Sequence, residues 1–162
     1  MAVLRAGLVG CGSLSQRGIL PHLSLEDARE KIQLTAVVDA VPERAQLSAE
    51  RFNVPAHYSR IEDMLAADNV DVVIVATPIP YHFSNALAAV QARKHVYVQK
   101  TMTSTLDEAN ELLAARDRMD VKLAAAPGFT LFPLVIELRA LAQSALGAVY
   151  LAYTYTIGFA HE

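Results

Sequence analysis

An apolar run, Val3 to Val9, ends on Gly10-Cys11-Gly12, and a helix-like segment, Leu14 to Leu23, follows at once. A second apolar run, Ile32 to Val38, ends on Asp39. Few architectures accommodate that order. A strand that turns directly into a helix needs a residue without a Cβ at the turn, and Gly10 supplies it. A second glycine, Gly12, leaves room for an outside group to reach the backbone. The first amides of the helix, at Ser13 and Leu14, and its positive dipole end favour an anion such as a pyrophosphate there. Asp39 closes the neighbouring strand, where a carboxylate can accept hydrogen bonds from a ribose diol. The arrangement reads as the opening βαβ unit of a dinucleotide-binding fold.

The fingerprint is Gly10-x-Gly12-x-x-Ser15, with serine where a third glycine or alanine would pack helix against strand. Asp39 lies 24 residues beyond Ser15, near the expected spacing of about 20. Paired glycines also occur in turns of α/β proteins with unrelated ligands. The strand before, the helix after and the acid beyond are what favour a dinucleotide. Without a nearby positive cluster, Asp39 favours NAD, because it would repel a 2′-phosphate. Arg44, five positions on, can still accept one, so NADP stays possible.

Strands and helices alternate along most of the chain, which implies an α/β fold with a doubly wound parallel sheet. The expected strands are Leu4–Val9, Gln33–Val38, Ala56–Tyr58, Val72–Ala76, His95–Val98 and Lys122–Ala125. Val72-Val73-Ile74-Val75-Ala76 is unbroken apolar sequence, as burial on both faces requires. A hydrophobic fraction of 53% over 162 residues fills such a core easily. The expected helices are 14–23, 42–52, 61–66, 81–92, 106–119 and 132–145. Pro42 suits a first helical turn, and Thr105 with Glu108 makes a capping box. The stretch Val149 to Ile157 reads as a strand with no sequential partner. It is expected to open a second domain that breaks off, giving a Rossmann domain over 1–146 and a truncated α/β domain over 147–162. Pairing of this strand with a second copy, hence a homo-oligomer, is expected too.

The net charge is −3 with no basic block, which argues against nucleic acid as partner. No run of about 18 apolar residues is present, so no membrane span is expected. The start of the chain lacks a signal peptide's cleavage region, and a cytoplasmic location is expected by default. No metal site is expected. Cys11, the single cysteine, cannot form an internal disulfide and suits packing inside the glycine turn better than catalysis.

Three further segments carry a resemblance. Ala76-Thr77-Pro78-Ile79-Pro80-Tyr81-His82 follows the fourth strand, Lys94-His95-Val96-Tyr97-Val98-Gln99-Lys100 forms the fifth, and Phe129 to Pro133 follows the sixth. With the glycine turn, they resemble the glucose–fructose oxidoreductase and inositol dehydrogenase (Gfo/Idh/MocA) family over nearly the whole chain. The resemblance implies an N-terminal Rossmann domain and a C-terminal α/β domain with an open antiparallel sheet. It implies hydride transfer between NAD(P) and a small carbohydrate-like hydroxyl compound. It assigns Lys100 to catalysis, at the substrate hydroxyl, and puts the Thr77-Pro78 turn beside the adenosine ribose or the nicotinamide half. His82 either contacts the cofactor or caps backbone groups. Gln99 stands where the family's acid often contacts the cofactor ribose. Ile79 replaces the family's usual asparagine, and Thr101 replaces a proline. These departures touch catalysis more than cofactor binding. They keep two other readings open: a non-catalytic nucleotide-binding or regulatory module, and a strand-paired assembly module. Tyr97 to Lys100 is one residue short of the short-chain dehydrogenase Tyr-x-x-x-Lys and lies on a strand. A methyltransferase would share the glycine turn and the acid but leaves the Thr-Pro turn and the strand-terminal lysine unexplained.

Overall fold

The computed structural model describes residues 2–126, 128–145 and 148. The chain divides into two compact units, Met1–Ala126 and Pro127–Glu162. The first contains a six-stranded parallel sheet in the order β3-β2-β1-β4-β5-β6. The strands are β1 (Leu4–Val9), β2 (Ile32–Val38), β3 (Ala56–Tyr58), β4 (Val72–Val75), β5 (His95–Val98) and β6 (Leu123–Ala125). β1 pairs with β2 on one side and β4 on the other, Val9 standing opposite both Val38 and Val75. The chain winds outward in both directions from that point. Crossovers therefore leave on opposite faces, and a crevice opens at the carboxyl ends of β1, β2 and β4.

Strand residues alternate between two cores, as a period of two demands. Val9, Val38, Val73, Val75 and Val98 pack on one face with Met64, Ala86, Val90 and Leu112 from helices. Ala6, Leu8, Val37 and Ile74 pack on the other with Leu20 and Ala49. Both faces are covered, which is why the buried stretches of these strands, such as Gly7–Val9, Ala36–Val38 and Val73–Val75, are apolar.

Local signals set the helix ends. α3 (Pro42–Phe52) has proline in its first turn and closes on Asn53 in the left-handed region. α6 (Leu106–Met119) starts at the capping box: the Glu108 amide donates to Thr105 Oγ1, and the Thr105 amide donates to Glu108 Oε2. α4 (Ile61–Ala66) and α5 (His82–Gln91) complete the cover. Residues 13–23 are helical, but Ser15–Ile19 forms a wide π turn before α1 (Leu20–Leu23). Pro21 lacks an N–H and would press on the carbonyl four residues back, and a wider turn relieves that contact. A one-turn helix, α2 (Glu26–Arg29), and a 3₁₀ turn, Ile79–Tyr81, are not expected from periodicity. The 3₁₀ turn begins directly after Pro78 and shifts the start of α5 to His82. At the opposite end of the sheet, Arg5 holds Asp71 through its backbone amide and its guanidinium.

The second unit holds a 3₁₀ turn, Gly128–Leu131, and α7 (Pro133–Ser144). The expected boundary at 146–147 and the expected strand Val149 to Ile157 lie outside the described residues. Among the described residues no helix is long and apolar enough to cross a membrane.

Candidate functional site at the carboxyl ends of the strands

The two glycines of the turn have different work. Gly10 has φ +100°, and a Cβ there would stand 2.6 Å from the Ala76 carbonyl oxygen and 2.9 Å from the Thr77 nitrogen. Only glycine lets the end of β1 pass so close to the turn after β4. Gly12 has no such internal reason: its backbone is not left-handed, and a Cβ there would meet nothing within 4 Å. Its missing side chain leaves open space beside the first helical amides. Ser15, expected merely to be small, is fully buried, and its hydroxyl donates to the Gly10 carbonyl at 2.5 Å. It thus satisfies a carbonyl that the tight turn would otherwise strand.

Asp39 is 7% exposed and tied inward. Oδ2 accepts from the Cys11 amide at 2.8 Å and Oδ1 from the Val41 amide at 2.9 Å. Its carboxylate therefore pins the glycine turn to the β2–α3 turn. Each oxygen keeps a further acceptor site, so a ribose diol can still be met. Arg44 Nη1 sits 3.4 Å from both oxygens and is half exposed, which brings a cation onto the acid. Cys11 is fully buried, and burial is the main cause that pushes its thiol up to about 11. It is a packing residue here, with Sγ near the Val38 carbonyl.

A cavity of about 540 Å³ lies over these turns, lined by Gly10, Gly12, Asp39, Thr77, Pro78 and Tyr81 among others. A groove of about 750 Å³ shares Gly12 and Arg44 with it and adds Ser13, Gln16, Ser48 and Arg51. Gln16 joins its walls, donating to Ser48 Oγ at 2.7 Å. Leu14 is half exposed at the start of the helix. One polar atom at the cavity lacks a partner: Thr77 Oγ1 is buried with no hydrogen bond. An orphaned hydroxyl beside a cradle that a Cβ at Gly12 would fill fits a phosphate-bearing nucleotide with a ribose. Tyr81, Ser84 and Asn85 also line the cavity, and sequence reasoning missed them. They come from the 3₁₀ turn and the first turn of α5, where the sequence pointed to a helix but not to the face that meets the cavity.

The end of β5 stands next in the sheet. The Gln99 amide donates to the Val75 carbonyl at 2.9 Å, and its side chain is half-buried. Lys100 is exposed and forms no ion pair among the described residues. The Lys100–Thr101 peptide is cis. His82 is 1% exposed, with Nδ1 2.6 Å from the Thr101 carbonyl oxygen and Nε2 2.8 Å from the Thr77 carbonyl oxygen. Of its two expected roles, the ring meets backbone, and neither nitrogen is left for a ligand. The fold thus gathers Gly10, Gly12, Asp39, Thr77 and Pro78 around one cavity and Ser13 on the adjoining groove. Lys100, Gln99 and His82 belong to the neighbouring turns. Among the described residues no His, Cys, Asp or Glu cluster could hold a metal ion.

Known proteins match this arrangement. Trans-1,2-dihydrobenzene-1,2-diol dehydrogenase of Danio rerio is 31% identical over 149 residues, covering 91% of this chain and 44% of that protein. The scyllo-inositol 2-dehydrogenase (NADP(+)) of Bacillus subtilis is 29% identical over 137 residues, covering 85% of this chain and 40% of its own length. The solved WlbA dehydrogenase of Bordetella pertussis, in complex with NADH and UDP-GlcNAcA, superposes with a TM-score of 0.79 at 25% identity. That match covers 88% of this chain and 42% of WlbA. The chain thus spans under half the length of these relatives. Residues 4–126 match the Gfo/Idh/MocA oxidoreductase family, NAD-binding Rossmann fold. The chain belongs to that family, and its six-stranded unit is an NAD(P)-binding oxidoreductase domain.

Proposed function

We propose that this chain supplies the cofactor half of an NAD(P)-dependent oxidoreductase acting on a carbohydrate-type hydroxyl. The observation that carries the reading is Gly12, a glycine the protein does not need for itself, opening onto the cavity that also holds Asp39 and the orphaned Thr77 hydroxyl. The Gly12 turn and the amides of Ser13 and Leu14 hold the pyrophosphate. Asp39 accepts from the adenosine ribose through its remaining lone pairs, and Arg44 takes up a 2′-phosphate when one is present. Thr77 and Pro78 wall the cofactor beyond, and the Gln99 side-chain amide bonds its ribose in place of the family's acid. When bound, the nicotinamide supplies the hydride chemistry. Lys100 orients the substrate hydroxyl and exchanges its proton. The relatives' names support a polyol or sugar substrate, since inositol, D-apiose and D-glucoside dehydrogenases are among them. A cytoplasmic location goes with the reading.

Calorimetric titration tests the cofactor site. NAD and NADP should both bind. No heat with either at millimolar concentration overturns the reading. A non-catalytic nucleotide-binding module is the second reading, favoured by Gln99 and Ile79 in place of the family's acid and asparagine. Turnover on a panel of polyols separates it from an enzyme, and this chain alone should turn over little. Self-pairing through Val149 to Ile157 is the accompanying proposal. Light scattering of the chain with and without residues 148–162 reads it, and a monomer in both cases excludes it.

A further inference from the structure

His82 opens α5, is 1% exposed and lines neither the cavity nor the groove. Its two ring nitrogens end on two carbonyl oxygens, Thr77 at 2.8 Å and Thr101 at 2.6 Å. A carbonyl oxygen can only accept. A neutral imidazole has one N–H, and its other nitrogen is itself an acceptor. Facing that lone pair toward a carbonyl at such a distance is repulsive, and most costly where water is excluded. Both contacts are hydrogen bonds only when both nitrogens carry protons. No carboxylate pairs with the ring among the described residues, and Lys100, one position before Thr101, adds a like charge on the same turn.

The placement of those carbonyls matters. Thr77 follows β4, Thr101 follows β5, and the strands are neighbours with Val75 opposite Val98. One turn carries the orphaned Thr77 hydroxyl of the cofactor cavity, and the other carries Lys100. We propose that His82 is a positioning residue: a doubly protonated imidazole that bridges the Thr77 and Thr101 carbonyls and holds the Lys100 turn at a set distance from the cofactor turn. Its consequence for the cofactor rests on the dinucleotide reading above, but the bridge itself does not.

Nitrogen-15 NMR of the full chain reads the bridge directly. Both His82 ring nitrogens should show attached protons, assigned by their loss in His82→Gln. A proton on only one nitrogen overturns the proposal. Glutamine donates from a single nitrogen and cannot span both carbonyls. In His82→Gln the Ala76 and Gln99 amides, which bond across the strand ends, should exchange about tenfold faster. The same variant should bind NADH about tenfold more weakly while ADP, which lacks the nicotinamide half, binds as before. Equal losses for NADH and ADP would make His82 a general fold residue and refute the positioning role. If the unaltered chain binds neither nucleotide, the dinucleotide reading fails, and the ring protons still decide the bridge. If His82→Gln does not fold, the spectrum of the unaltered chain decides alone.

Discussion

Replacing Gly10 and Gly12 separately by alanine should give opposite phenotypes. At Gly10, alanine must adopt φ +100°, and its Cβ would sit 2.6 Å from the Ala76 carbonyl oxygen. The obstacle is backbone, bonded into the sheet through the Ala76 amide and the Val9 carbonyl, and cannot swing aside like a side-chain tip. The left-handed conformation costs about 1–2 kcal/mol and the overlap about as much again, so the loss should be about 3 kcal/mol. Against a total stability of about 5–15 kcal/mol that is a large share. At about 2–4 °C per kcal/mol for a chain of this size, the Tm should fall by about 6–12 °C. At Gly12 a Cβ meets no atom within 4 Å, and the backbone is not left-handed. Gly12→Ala should therefore unfold within about 0.5 kcal/mol of the unaltered chain. Its Cβ would instead occupy the space beside the helix amides, and NAD should bind at least about tenfold more weakly. Circular dichroism melts and calorimetry read both variants. Undiminished stability in Gly10→Ala would refute the close approach of β1 to the turn after β4. Undiminished NAD affinity in a folded Gly12→Ala would refute the assignment of that space to a pyrophosphate.

Asp39→Asn keeps the shape but presents an amide to one of the two backbone N–H groups, so stability should drop by about 2 kcal/mol. NAD affinity should fall more than NADP affinity, and equal losses would argue against a ribose contact. Hydrogen bonds from Arg5 hold the Asp71 carboxyl down to about 2, below its ordinary 3.8. A lowered folded-state value means a contribution present above about pH 4 and lost as the pH falls toward 2. Asp71 is 35% exposed, which limits that contribution to about 1 kcal/mol after solvent screening. Denaturation of Asp71→Asn should thus lie below the unaltered chain at pH 7 and converge with it at pH 2; parallel curves would sink the assignment. The buried Cys11 thiol, raised to about 11, should react with a thiol reagent at pH 8 only as fast as the chain opens. Rapid labelling of the folded chain would contradict its burial.

Much of the framework was legible because it rests on burial, and burial leaves a period in the sequence. β1, β3 and β5 run from Leu4, Ala56 and His95 as read, their buried positions being apolar. α6 begins and ends as read, because Thr105 and Glu108 mark its start. The π turn at Ser15–Ile19 was not legible: it answers Pro21 inside an otherwise ordinary helical pattern. Within the site, sequence pointed to residues but not to their partners. Gly10 reads as a turn glycine, yet its need comes from Ala76, a contact far along the chain. Ser15 reads as small, whereas its hydroxyl is what the turn uses. Asp39 reads as a ribose acceptor, and its first engagement is with Cys11 and Val41. Periodicity records that a residue is buried. It does not record which backbone group across the sheet it meets.

The site is divided in a way that bears on its chemistry. On the reading proposed above, nucleotide recognition would rest on buried or backbone groups: Asp39 at 7% exposure, the amides of the first helix, and the Thr77 hydroxyl. Asp39 and Thr77 are held by the ends of β2 and β4. Lys100 is different, an exposed ammonium on the adjoining turn with no ion-pair partner among the described residues. In water its field is strongly screened, and a charge acts on a reacting hydroxyl far more effectively once water is excluded. The unit Met1–Ala126 fixes where Lys100 stands relative to the cofactor cavity, with His82 linking the two turns. On the proposed reading, positioning without desolvation would supply only part of the barrier reduction that hydride transfer requires.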